Sequence, residues 1–112
     1  MERTTTEIPE KLFYKASEVC QITDTQPYVL RFWESEFPQL AGEKNRSGQR
    51  VYRRADIDLV FRIKKLLYQE RYTVAGARRR LTEREDRARR AEMRAALQRL
   101  RAGLEDVLRQ LS

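Results

Sequence analysis

The sequence predicts a mainly α chain that carries one small β-hairpin and ends in a coiled-coil helix. Three observations predict it. Two short apolar-striped segments are joined by a tight turn at Thr23-Asp24-Thr25, an acid-free basic stretch is broken by Ser47-Gly48, and leucines recur at three- and four-residue steps near the C-terminus. At 112 residues there is room for one small globular unit with an appendage. Charged residues make up 37% of the chain, well above the usual ~25%, so the core is thin and the solvated surface large.

Residues 1–11 read as a flexible polar tail, residues 12–81 as the folded domain and residues 82–112 as the coiled-coil helix. Ser17 to Ile22 forms a short helix, with Val19, Cys20 and Ile22 as its apolar surface. In the turn that follows, Asp24 and Thr25 are natural N-cap residues, and Pro27 suits a first helical turn. The second helix then runs from about Gln26 to Phe37. Leu30, Trp33 and Phe37 form its buried stripe, and Tyr28, Arg31 and Ser35 a more exposed one. Pro38 stops it.

Beyond Pro38 the composition changes. Lys44, Arg46, Arg50, Arg53 and Arg54 are basic, and no acid falls between Lys44 and Arg54. Ser47-Gly48 is a turn signal, and Val51 is the β-branched member of an alternating flank. This is a two-stranded hairpin with a basic tip, which must pack on the helices because it is marginal alone. The third helix covers Ala55 to Glu70, with Asp56 and Asp58 at its positive end. Its inward face is Ile57, Val60, Ile63 and Leu67, widened by Phe61 and Leu66.

Thr73 caps a short fourth helix from Val74 to Leu81. Thr82-Glu83-Arg84-Glu85 matches a capping box and predicts a fresh helix start. The last helix runs to about Leu111, with Leu97, Leu100, Leu104, Val107 and Leu111 in the a/d rhythm of a coiled coil. Met93 extends the seam backward, and Arg90 breaks it. About 28 residues at ~1.5 Å each make a rod of roughly 40 Å, too long and polar to fold back on so small a body. It calls for a partner helix.

Composition narrows the function. Lys and Arg number 24 against 17 Asp and Glu, giving +7 and a pI near 10.0. That balance favours a polyanionic partner, with nucleic acid ahead of a membrane surface. The absence of histidine excludes histidine general-base chemistry and His-ligated metals. A single cysteine, Cys20, can form no intramolecular disulfide, which fits a reducing cytoplasm. As a small apolar residue of the first helix, Cys20 is expected in the core. No stretch reaches the ~20 apolar residues of a membrane span, and no nucleophile–base constellation is readable. The expectation is a non-enzyme with no cofactor and no metal site.

A helix, a tight turn and a second helix with an exposed Gln26, Tyr28 and Arg31 face make a helix-turn-helix pattern. Such a second helix fits the major groove, with its first turns at the base edges. An ordinary helical hairpin with a solvated face is the competing reading. The basic hairpin tips the balance, since clustered cations repel one another and a phosphate backbone relieves them. A hairpin beside a helix-turn-helix is a wing, so the fold class is a mainly α winged helix-turn-helix with a C-terminal coiled-coil helix.

From Phe13 to Leu81 the chain resembles the DNA-binding domain of the MerR family of bacterial transcription regulators. The residues that carry this are Tyr14-Lys15-Ala16-Ser17-Glu18-Val19, Pro27, Leu30-Arg31-Phe32-Trp33-Glu34, Arg46-Ser47-Gly48-Gln49-Arg50-Val51-Tyr52 and Asp56-Ile57. The resemblance implies a homodimer on pseudo-palindromic promoter DNA, with RNA polymerase as a further partner, in the cytoplasm at the bacterial nucleoid. It implies phosphate contacts from Arg31 and Arg50, base approach by Gln26 and Tyr28, and packing of the wing by Tyr52. The DNA-contacting set is completed by Trp33, whose indole N–H can donate, and by Lys44, Arg46 and Arg53. The chain departs from the family pattern in three places. Phe32 and Trp33 stand where tyrosines are usual, Gln49 replaces a usual aromatic, and Asp24 stands where glycine is common, a substitution that the left-handed tolerance of Asp permits.

Dimerisation falls to Met93, Leu97, Leu100, Leu104, Val107 and Leu111. An antiparallel pairing is expected, because a parallel one sets Arg90 against its own copy. The alternative from another class is a coiled-coil interaction adaptor whose basic surface is incidental. Salt-sensitive binding to duplex DNA separates the two.

Overall fold

The computed structural model describes residues 8–112. Of the expected flexible tail, residues 1–7 lie outside the described residues. Residues 9–11 are tied down. The Tyr14 hydroxyl donates to the Pro9 carbonyl at 2.5 Å, and Lys11 Nζ reaches Glu18 Oε2 at 2.6 Å. The chain divides into two compact units, one ending at Arg78 and the other Arg79–Ser112.

In the first unit, strand β1 (Tyr14–Lys15) leads directly into helix α1 (Ala16–Thr23). The Glu18 carboxylate accepts the Lys15 N–H at 2.8 Å, satisfying a donor at the helix start. Its pKa is lowered by the Lys11 ammonium first and by that backbone bond second. Helix α2 (Pro27–Glu36) follows a turn in which Asp24 is left-handed at φ 53°. Neither Asp24 nor Thr25 caps α2. Gln26 holds the N-cap position without a side-chain bond, and the Thr25 hydroxyl is buried against Thr23.

Strands β2 (Glu43–Lys44) and β3 (Arg50–Tyr52) form the expected hairpin, but the sheet has three strands in the order β1-β3-β2, all antiparallel. Tyr14 lies opposite Tyr52, and both are buried at 1% and 2% exposure. This two-residue strand answers how a marginal hairpin is held. The backbone ladder ties β3 to the residues that start α1, with one buried tyrosine on each strand.

Helix α3 (Arg54–Lys64) opens with the Asp56 carboxylate accepting the Arg53 N–H at 2.9 Å. It stops short of the expected end at Glu70. Lys65–Gln69 is a π turn, with the Glu70 N–H bonded to the Lys65 carbonyl at 2.9 Å. The wider turn shifts the phase of the inward face. Leu66 is buried at 5%, whereas Leu67 is half-buried and Phe61 exposed. The core is otherwise as the sequence predicts. Val19, Leu30, Trp33, Phe37, Ile57, Val60 and Ile63 are buried, joined by Leu40. Each large apolar side chain so buried contributes about 1.5–3 kcal/mol.

Helix α4 is continuous over Val74–Leu111, 38 residues. The Thr73 hydroxyl accepts the Gly76 N–H at 3.0 Å, the expected cap. The expected helix start at Thr82 is absent, and Thr82 to Glu85 lie inside α4. A capping box satisfies N–H groups that lack acceptors, and here the preceding turn already supplies carbonyls.

Candidate nucleic-acid interface

The N-terminal face of α2 is open. Gln26 and Arg31 are exposed, Tyr28 is 67% exposed and Phe32 is 50% exposed. Trp33 is different. At 3% exposure it belongs to the core, its ring 6.2 Å from that of Tyr68. Its place on the Leu30–Phe37 stripe turns it inward, so its assignment as a DNA contact is corrected.

The turn before α2 is held from three directions. The Thr23 hydroxyl donates to the Val19 carbonyl at 2.7 Å and lies 3.0 Å from the Thr25 hydroxyl. Lys64, at the end of α3, donates to the carbonyls of Thr23 at 2.7 Å and Asp24 at 3.0 Å. A cation on the last carbonyls of α1 satisfies acceptors that have no helical partner. Lys64 therefore ties the end of α3 to the turn between α1 and α2, a contact that nothing in the sequence marks.

The wing tip is built around Asn45. Its side-chain oxygen accepts the N–H groups of Ser47 and Gln49, each at 3.0 Å, while Gly48 takes φ 82°. Lys44 and Arg46 are exposed on this tip and have no carboxylate partner among the described residues. The other three cations of the stretch do have one, which corrects the expectation of a run without counter-acids. Arg50 Nε is 3.4 Å from Glu34 Oε1, Arg53 Nε 3.1 Å from Glu43 Oε2, and Arg54 Nε 3.3 Å from Asp58 Oδ1. Arg53 also lies 5.1 Å from the Phe13 ring centre. These acids lie outside the basic run; Asp58 is a local i,i+4 neighbour of Arg54, whereas Glu34 and Glu43 meet Arg50 and Arg53 only through the fold.

Between α2 and the wing is an open cleft of about 640 Å³, lined by Arg31, Glu34, Ser35, Arg50 and Tyr52 among others. Glu34 is its hub. The Tyr52 hydroxyl donates a hydrogen bond to Glu34 Oε2, and Arg50 Nη1 donates to the Ala41 carbonyl at 2.6 Å. Burial, and then the bond to Glu34, raises the Tyr52 pKa far above the ordinary tyrosine value, so this phenol stays a donor. A second concavity brings Lys15 and Ser17 beside Gln49 and Arg50. Sequence reasoning took Lys15 and Ser17 only as motif letters. Their nearness to the wing depends on the β1–β3 pairing.

Cys20 is half-buried, less enclosed than expected. Burial first, and the Glu34 charge second, push its thiol upward, away from the reactive thiolate. Arg78 donates to the Glu36 carbonyl at 3.1 Å and to Glu36 Oε1 at 2.9 Å, a structural contact at the end of α2. No helix is long and apolar enough to cross a membrane, and no metal-holding cluster occurs among the described residues.

Residues 14–84 match the family model described as MerR HTH family regulatory protein. No curated protein and no solved structure matches the chain.

Proposed function

The chain belongs to the MerR helix-turn-helix family of regulatory proteins and is a DNA-binding transcription regulator; from that premise we propose that it binds specific promoter DNA as a homodimer. The observation that carries the reading is the joint presentation of α2 and the wing. Tyr28 and Arg31 are exposed on α2, Lys44 and Arg46 are exposed on the hairpin, and Arg31 and Arg50 line the cleft between the two elements. A helix of this kind enters the major groove while the flanking cations meet phosphates. Gln26 and Tyr28 approach bases. Arg31, Lys44, Arg46, Arg50 and Arg53 contact the backbone. Pairing through the apolar face of α4 brings two such modules to two half-sites, where RNA polymerase is the further partner.

The test is a titration with duplex DNA across a salt series. Neutralising several phosphates gives a fall in log K with log salt of about 0.9 per contact. A flat salt dependence, with binding to a protein partner through α4 intact, is the result expected of an interaction adaptor and would overturn the DNA reading.

A further inference from the structure

We propose that Glu34 is a positioning residue for DNA binding: it holds the Arg50 guanidinium in its phosphate-facing geometry from the opposite wall of the cleft. The proposal rests on the reading of Arg50 as a phosphate contact. An arginine on a short wing strand has several rotatable bonds, and ordering it on DNA costs binding free energy. Here it is ordered beforehand. Nε faces Glu34 Oε1 at 3.4 Å and Nη1 is bonded to the Ala41 carbonyl at 2.6 Å. Two of the three guanidinium nitrogens are thereby engaged, which leaves the Nη2 donors for a ligand, on a side chain 42% exposed.

Glu34 is fitted to act as the fixed member of the pair. Its side chain is only 11% exposed, and it sits within α2, not on a loop. Its second oxygen is held by the Tyr52 hydroxyl, and Tyr52 is anchored in the core of the sheet. Arg50 and Tyr52 lie on the same strand, so one carboxylate grips β3 at two points. The helix that approaches bases and the strand that approaches phosphate are thus set against each other by Glu34. Gly42 lets the chain pass close by. A Cβ there would stand 3.1 Å from the Tyr52 ring and 3.2 Å from Arg50 Cγ, and φ is 67°.

A carboxylate near DNA also repels phosphate, so truncation alone confounds two effects. Comparing Glu34→Gln with Glu34→Ala removes that confusion, because both lose the charge and only the glutamine can still bond Arg50 and Tyr52. Affinity for a mixed-sequence duplex is measured for both, in the parent background and with Arg50→Ala. The expected result is that Glu34→Ala binds about two- to tenfold more weakly than Glu34→Gln, the cost of one side chain left to be ordered. With Arg50→Ala in place the gap should close. Equal affinities for the two Glu34 variants overturn the proposal. So does a gap that persists without Arg50, since that is the mark of a general structural defect. A parent chain that does not bind duplex at all overturns the functional reading itself, and the positioning role falls with it.

Discussion

Arg50 and Tyr52 show how far single residues could be read in advance. The wing motif marks Arg50 as a cation at the right place, but its partner Glu34 lies sixteen residues upstream, and only the fold joins them. Trp33 shows the opposite case. Its spacing from Leu30 and Phe37 already placed it on the buried stripe, and the structure follows that spacing over its motif-based role. Arg50→Ala should weaken binding about equally on all duplex sequences and reduce the salt slope by roughly one, as for a single lost phosphate contact. An unchanged slope would remove Arg50 from the interface. Tyr52 offers a test on stability. Its folded-state pKa is raised above the ordinary 10.0, by burial first and by the Glu34 bond second. The unfolded chain therefore loses the proton first. Stability from this group is complete below about pH 10 and declines as pH rises beyond it. Denaturant midpoints should fall more steeply above about pH 10 for the parent than for Tyr52→Phe, and parallel curves would count against a buried phenol.

At the scale of elements, regular periodicity was legible and local geometry was not. The α2 stripe, the α3 stripe as far as Ile63 and the Thr73 cap were all readable, because burial and capping follow from spacing. β1 was not readable, since a two-residue strand has no pattern of its own and exists only where β3 meets it. The π turn after Lys64 was hidden for a similar reason. Apolar Leu66 and Leu67 satisfy either phase, and packing selects Leu66. The Thr82 capping box misled because capping residues are permissive inside a helix that has already begun. Thr82→Ala tests this directly. An N-cap threonine would cost about 1 kcal/mol when replaced by alanine. A mid-helix threonine should cost well under that, because alanine's better helix propensity offsets the loss of the side chain. A clear drop would restore the helix break. For α2, Gln26→Ala should relax base preference at one operator position per half-site by about 1–3 kcal/mol. The same selected motif from parent and variant would make Gln26 a positioning group at the N-cap.

At the scale of the whole molecule, the decisive feature is the apolar face of α4. Met93, Leu97, Leu100, Leu104, Val107 and Leu111 are 53–78% exposed in the single chain, and Leu108 widens the stripe at 65%. The leucine rhythm was legible, whereas the extent of the helix was not: it runs unbroken for 38 residues, about 57 Å at ~1.5 Å per residue. Leaving this face in water forgoes roughly 1.5–3 kcal/mol per large side chain, and a symmetric pair recovers each contribution twice. For the proposed homodimer, charge favours one orientation. A parallel, in-register pair would set Arg90 against Arg90 where the seam ends, while an antiparallel pair offsets the arginine-rich starts of the two helices. That arrangement also separates the two DNA-binding modules, which suits half-sites on successive turns of one DNA face. Leu100→Asp or Leu104→Asp should therefore yield a monomer with its helical circular dichroism largely kept in the first unit and its operator affinity greatly weakened, because a carboxylate in the seam must be desolvated twice. Light scattering on parent and variant, run beside a DNA titration, gives the answer. A parent that is monomeric at micromolar concentration, or a monomeric variant that binds the full operator as well as the parent, would overturn the antiparallel homodimer.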